Sequence, residues 1–125
     1  MMKTFLMIFL GGGCGASLRF AIGRFTPPLT KYHFPIITFS INILACFIMG
    51  YLYAVFLDRA NMDPALKLAL TVGFCGGFST YTAFSLEVLE MFKSQQFFAG
   101  IIYITGTIII GVLAVWLGVK CGKLL

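Results

Sequence analysis

Residues 73–87, GFCGGFSTYTAFSLE, place hydroxyls, aromatic rings and a carboxylate inside a stretch apolar enough for a membrane span. Hydroxyl groups donate hydrogen bonds to an anion, and an aromatic ring presents an electropositive edge. Tyr81 and Phe84 are three positions apart, so a helix brings them to one face, and Thr82 and Ser85 form an adjacent row. The stretch is a candidate path for a small anion. Packing between helices is the alternative that these residues leave open.

A glycine pair, Gly76 and Gly77, comes just before these side chains. Glycine leaves helical geometry at little steric cost, which frees carbonyl oxygens from their intrahelical hydrogen bonds. Freed carbonyls persist at membrane depth only where protein, water or an ion satisfies them. A break near Gly76–Gly77 would offer oxygen ligands to a hard cation such as Na⁺. A kink that only lets helices cross is the other interpretation.

Other polar groups lie within apolar runs. Asn42, in TFSINILACFIMG, needs partners in hydrocarbon, so it either bonds a neighbouring helix or faces a wet path. Glu87 is costly in lipid and is expected to face the bundle interior or lie near the end of a span. Tyr103 and Thr107 are four positions apart and share one helix face.

Several classes of protein are disfavoured. The single histidine, His33, lies in a polar loop, and the serines have no visible base partner, so no enzyme chemistry is predicted. Each cysteine lies in a different apolar run, without a CxxC pair, which predicts neither a zinc site nor a redox pair. The nine Lys and Arg residues fall singly at the ends of apolar runs. That pattern indicates topology signals rather than nucleic-acid binding.

The composition, 60% hydrophobic and 10% charged with a mean hydropathy of +1.00, predicts an integral membrane protein. Because one crossing needs about 20 residues, the chain accommodates four helices in a single all-α transmembrane domain over residues 1–125. We predict spans at about 4–22, 35–57, 65–92 and 97–119, joined by loops at 24–34, 58–64 and 93–96. At ~1.5 Å per residue the third span is too long to be continuous, which again favours a break at mid-membrane.

The basic residues predict no firm orientation. With four spans, one side holds Lys3, Arg59, Lys67, Lys120 and Lys123, and the other holds Arg24, Lys31 and Lys93, joined by Arg19 if it snorkels there. Since the imbalance of Lys and Arg normally fixes orientation, a chain this balanced is expected to insert both ways in the lipid. Four helices leave little polar lumen between them. An antiparallel dimer with a path between its subunits is therefore the expected assembly.

The whole chain resembles the CrcB/Fluc family of fluoride channels. The most specific part is GFCGGFSTYTAFSLEV at residues 73–88, which is similar to the third-helix signature of that family. GGGCGASLR in the first span, with Arg19, and NILACFIMG in the second, with Asn42, support the resemblance. The three motifs occur in order, within a chain of suitable length.

The resemblance implies a dual-topology homodimer with two fluoride pathways along the subunit interface and a structural Na⁺ at its centre. It implies passive, electrically driven fluoride export across the inner (plasma) membrane. The backbone carbonyls of Gly76 and Ser79 correspond to the Na⁺ ligands, and Arg19 to a structural position. The pore positions correspond to Asn42, Tyr81, Thr82, Phe84, Ser85, Glu87, Tyr103 and Thr107.

Two residues depart from the family pattern. Tyr81 stands where the family more often has phenylalanine, so a hydroxyl enters the aromatic pair, and Ala83 stands where threonine is common. A small multidrug-type, proton-coupled exporter is the leading alternative. It would need a carboxylate deep in the first span, where this chain has Arg19. A non-transporting subunit of a larger complex and a heterodimer with a sister chain are further alternatives.

Overall fold

We describe the protein from a computed structural model that covers residues 1–26, 34–58 and 62–124, in which all regular structure is helical. The elements are α1 (Met2–Phe25), α2 (Ile36–Asp58), α3 (Pro64–Leu68), a π-helix (Ala69–Cys75), α4 (Gly76–Phe78), α5 (Tyr81–Lys93) and α6 (Phe97–Gly122). Residues 27–33 and 59–61, within the loops predicted at 24–34 and 58–64, lie outside the described residues, and Lys31, His33 and Arg59 lie outside with them.

Three of the described helices are long and apolar enough to cross a membrane. Their most apolar windows have mean hydropathies of 1.7 for Met2–Phe25, 2.0 for Ile36–Leu57 and 2.3 for Phe97–Gly122. Many of their large apolar side chains, such as Phe9 and Phe20 in α1 and Trp116 in α6, point outward, as expected for a surface that meets lipid. The protein is therefore a multi-pass membrane protein, in agreement with its composition.

The region between α2 and α6 forms one bent helical stretch. Asp63 begins it by accepting a hydrogen bond from Ala65 N at 2.9 Å, with Pro64 at the first helical position. Asp63 also accepts from Lys3 Nζ, which ties this start to the beginning of α1. The bond from Lys3 and then the Ala65 amide hold the pKa of Asp63 below its usual range. The stretch then widens into the π-helix and tightens again at α4.

The bent stretch is interrupted at Ser79 and Thr80, just beyond the glycine pair. Ser79 has a ψ of 159° and Thr80 a φ of −147°, both extended. Gly76 keeps helical angles, with φ −66° and ψ −36°, and no described glycine has a positive φ. The break therefore does not use the conformational freedom of glycine that the sequence suggested. It depends on side chains that bind the backbone on either side.

The glycines instead allow helices to approach closely. A Cβ on Gly11 would lie 2.2 Å from Ala69 O, and one on Gly77 would lie 2.4 Å from Gly12 O. The same holds for α2 and α6, because a Cβ on Gly118 would lie 2.2 Å from the carbonyl oxygen of Phe47. Small residues drive helix association in lipid in this way. The glycines of α1 at positions 11 and 15 thus allow close packing against the bent stretch.

Candidate functional site

Asn42 of α2 binds the break through both ends of its amide. Asn42 Nδ2 donates to Thr80 O at 3.2 Å, and Thr80 N donates to Asn42 Oδ1 at 2.8 Å. The side chain therefore supplies an acceptor for Thr80 N, which has no helical partner across the interruption, and also donates to Thr80 O. Asn42 was predicted either to bond a neighbouring helix or to face a wet path. The first of these roles is present.

Two further side chains hold the backbone around the break. Arg19 Nε of α1 donates to Gly77 O at 3.2 Å. Thr80 Oγ1 accepts from Ala83 N at 3.2 Å and so caps the start of α5. In a continuous α-helix, Thr80 N would bond Gly76 O, and Ala83 N would bond Ser79 O. Because both amides are directed to side chains, Gly76 O and Ser79 O lose these usual partners.

A groove of about 360 Å³ lies beside the break, between α2, α5 and α6. Five of the predicted site residues line it, namely Asn42, Ser79, Tyr81, Phe84 and Thr107. Cys46 and Gly111 also line the groove. Asn42 thus lies on the groove as well as binding the break, so its two predicted roles do not exclude each other.

Three aromatic rings form a row from the surface into the subunit. Tyr81 is 80% exposed, and its ring centroid lies 5.9 Å from that of Phe84 at an interplanar angle of 41°. Phe84 lies 5.0 Å from the ring of Tyr103, which is fully buried. The rings of Tyr81 and Phe84 are tilted by 41° and those of Phe84 and Tyr103 by 58°, so neither pair is stacked. Tyr81 and Phe84 both line the groove, whereas Tyr103 does not.

Glu87 lies one turn further along α5 and accepts hydrogen bonds at both carboxylate oxygens. Thr38 Oγ1 donates to Oε1 at 2.6 Å, and Tyr103 OH donates to Oε2 at 2.8 Å. Glu87 therefore faces the helices packed beside α5 and links α2 to α6. These contacts satisfy a carboxylate that lipid would otherwise penalise.

The remaining predicted hydroxyls are engaged with nearby groups. Thr107 Oγ1 donates to Tyr103 O at 2.6 Å, and Ser85 Oγ donates to Tyr81 O at 2.9 Å. The hydroxyl of Thr82 lies 3.4 Å from that of Thr80. A hydroxyl has a single hydrogen to donate, so Thr107 and Ser85 present only lone pairs to their surroundings in this rotamer. Each would have to change rotamer before it could donate to an anion.

Two residues outside the predicted site make important contacts. Thr38 binds Glu87, and Thr80 is the residue to which Asn42 binds. Both carried a signal, because Thr38 is four positions before Asn42 on the same helix face and Thr80 stands at the start of an apolar helical run.

A helix interrupted beside a groove, and packed against three spans apolar enough to cross a membrane, defines a small multi-pass membrane protein. The chain belongs to the family described as CrcB-like protein, Camphor Resistance (CrcB), which matches residues 6–119.

Curated relatives extend this finding. The fluoride-specific ion channel FluC of Stutzerimonas stutzeri is 36% identical over 124 residues, covering 99% of this chain and 100% of the relative. That of Phocaeicola vulgatus is 39% identical over 118 residues, covering 94% and 97%. That of Serratia proteamaculans is 41% identical over 97 residues, covering 78% and 76%. The family consists of ion channels, not enzymes.

Proposed function

We propose that the protein is a fluoride-selective channel that exports the anion passively. The observation that carries this proposal is the groove in which Asn42, Tyr81 and Phe84 lie together beside a broken helix. Its chemistry suits a small, strongly hydrated anion, because ring edges and amide hydrogens replace water around the ion. Curated relatives of similar length, named fluoride-specific ion channels, favour fluoride as that anion.

Export needs no coupled energy source. Fluoride enters cells as uncharged HF and ionises in a more neutral cytoplasm, which traps the anion there. A negative interior then drives it outward, with ~2.3 kcal/mol available per charge per 100 mV. Selectivity over chloride follows from a narrow route whose donors close around a small ion but not around a larger one. Tyr81 and Phe84 supply the ring edges, and Asn42 supplies the amide.

We propose that the bent stretch from Pro64 to Lys93 also crosses the membrane, as the third of four spans in chain order, and that two copies pair antiparallel in the plasma membrane. The balanced distribution of Lys and Arg supports insertion in both orientations. The high exposure of Tyr81 supports a partner copy, because the groove has no outer wall within one subunit. Two equivalent pores follow from the symmetry of such a homodimer.

A structural Na⁺ at the centre of the dimer fits the backbone at the break. Gly76 O and Ser79 O have lost their usual amide partners, and Na⁺ is a hard cation that prefers oxygen ligands. Gly76 is exposed, with nothing within 4 Å of an added Cβ, so its backbone is open to a second copy. When bound, Na⁺ supplies fixed positive charge and satisfies freed carbonyls.

Efflux from liposomes tests the function. Vesicles containing the purified protein are loaded with KF or KCl, diluted into low-potassium buffer and treated with valinomycin. We expect rapid fluoride loss with chloride retained. Equal loss of both anions, no anion loss, or proton-coupled cation movement would each overturn the proposal. Transport by a preparation that holds this chain alone would also support a homodimer over a heterodimer.

A further inference from the structure

Arg19 lines a second cavity, of about 490 Å³, which borders the break at Thr80 as the groove does. The cavity lies between α1, α2 and α5 and is also lined by Arg24, Thr38 and Thr80. Within it, Arg19 Nε donates to the carbonyl of Gly77, a residue 58 positions away in the chain. The bond joins the first apolar span to the short helix α4.

We propose that Arg19 is a positioning residue for the Na⁺ site. By binding Gly77 O, it withdraws that oxygen from the freed carbonyls of the break and fixes the peptides on both sides of it. The ligands are thereby restricted to Gly76 O and Ser79 O. This inference rests on the Na⁺ of the proposed function and adds a residue that determines how tightly the ion is held.

The short length of α4 explains why such a residue is needed. α4 has three residues and lies between a π-helix and an extended pair, so its own hydrogen bonds fix it weakly. Arg19 from α1 holds it at Gly77, and Asn42 from α2 holds the chain at Thr80. A charge-assisted bond from a guanidinium is stronger than one between neutral groups. The carbonyls of the break are thus held in position by side chains from two different helices, α1 and α2.

The charge of Arg19 has the opposite effect on a cation. A guanidinium bound to Gly77 O lies close to the neighbouring Gly76 carbonyl, so by charge alone it would repel Na⁺. Removing Arg19 weakens Na⁺ binding if its positioning role dominates, and strengthens Na⁺ binding if its charge dominates. The direction of the change therefore distinguishes the two roles.

The test uses purified full-length protein in detergent, exchanged into choline chloride and titrated with NaCl while the unfolding temperature is measured. Arg19→Met removes the donor and the charge at similar length. Arg24→Met removes a charge from the same cavity, where Arg24 has no recorded bond to the break among the described residues. We expect the NaCl concentration at which the unfolding temperature begins to rise, the onset of the titration, to increase about tenfold in Arg19→Met and to stay unchanged in Arg24→Met. Arg19→Lys, which keeps a donor and a charge, should lie between Arg19→Met and wild type.

The onset of the titration is the deciding measurement, because a purely structural loss lowers the unfolding temperature at every NaCl concentration without moving the onset. An unchanged or lower onset in Arg19→Met, or equal shifts in both Met variants, overturns the inference. If Arg19→Met yields no dimer, recovery at molar NaCl supports the proposal and failure to recover overturns it. If NaCl does not change the unfolding temperature of the wild-type protein, both the metal site and this inference are overturned. Fluoride efflux by the same preparation tests the channel function independently.

Discussion

Asn42 and Thr80 form a reciprocal pair in which one side-chain amide serves both backbone groups of one residue. The donor distances are 3.2 Å from Asn42 Nδ2 to Thr80 O and 2.8 Å from Thr80 N to Asn42 Oδ1. The pair joins α2 to the break across 38 positions of the chain. Because Asn42 also lines the groove, the group that shapes the break is part of the proposed path.

Asn42→Asp should reduce fluoride efflux at least about tenfold, because a carboxylate oxygen replaces the donor to Thr80 O and places a negative charge beside an anion path. Asn42→Leu removes the amide without adding charge and should give a smaller loss. Efflux from liposomes measures both variants, and size-exclusion chromatography checks that each remains a dimer. Wild-type efflux in a folded Asn42→Asp dimer would show that Asn42 lies off the path.

Hydropathy predicted the three long spans because burial in lipid requires an unbroken apolar run, and α1, α2 and α6 have one. The bent stretch was predicted less well. Its π-helix at Ala69–Cys75 has no signal in the composition, and the interruption lies at Ser79 and Thr80 rather than at the glycines. The backbone angles at the interruption depend on Arg19 and Asn42, which belong to α1 and α2. A local sequence pattern does not contain that information.

Phe84→Ile should slow fluoride efflux strongly while leaving the fold intact. Isoleucine keeps much of the volume but has no ring edge, and it loses the contacts with the rings of Tyr81 and Tyr103. Phe98→Ile is the matched control, because Phe98 is 79% exposed at the start of α6 and away from the groove. Equal efflux by the two variants would exclude Phe84 from the path.

Variants of Tyr81 test whether its ring or its hydroxyl is needed for fluoride efflux. Tyr81→Phe keeps the ring edge and should keep efflux within about threefold of wild type, since ring hydrogens carry the positive edge. Tyr81→Ile removes the edge and should slow efflux as Phe84→Ile does. Initial rates of fluoride loss compare all three. A Tyr81→Phe channel as slow as Tyr81→Ile would assign the essential role to the hydroxyl.

The sequence indicates which residues form the candidate site, but not which groups those residues contact. The cost of polar groups in lipid points to Glu87 and Asn42, and the face shared with Thr107, together with the family resemblance, points to Tyr103. Their contacts depend on the rotation of each helix about its axis, which distant packing sets. Thus Tyr103, expected on a polar track, is buried and donates to Glu87. The roles of these residues in transport stay predictions.

Glu87→Gln should destabilise the protein by about 1 kcal/mol, because a carboxylate that accepts from Thr38 and Tyr103 becomes an amide with one acceptor oxygen. Glu90→Gln is the control on the same helix, since Glu90 is exposed and no hydrogen bond to its carboxylate is recorded within the described ranges. Unfolding temperatures in detergent compare the two. If the variants unfold alike, the contacts of Glu87 contribute nothing to stability.

Gly15→Ala should both destabilise the protein and slow efflux. A Cβ at Gly15 would lie 2.3 Å from Phe74 O and 2.8 Å from Phe78 N, and backbone atoms cannot turn aside as a flexible side chain does. Overpacking of this kind costs about 1–3 kcal/mol. Since Phe78 directly precedes the break, a displaced α4 also moves the carbonyl of Ser79.

Gly13→Ala is the matched control for Gly15→Ala, because nothing lies within 4 Å of a Cβ built at Gly13 on the same helix. It should leave the unfolding temperature unchanged or raise it slightly, since alanine is the better helix former by ~1 kcal/mol. Thermal unfolding and efflux, measured on both variants, separate close packing from helix propensity. Wild-type behaviour of Gly15→Ala would mean that α1 can move away from the break without cost, and the positions of Arg19 and the break would then be set independently.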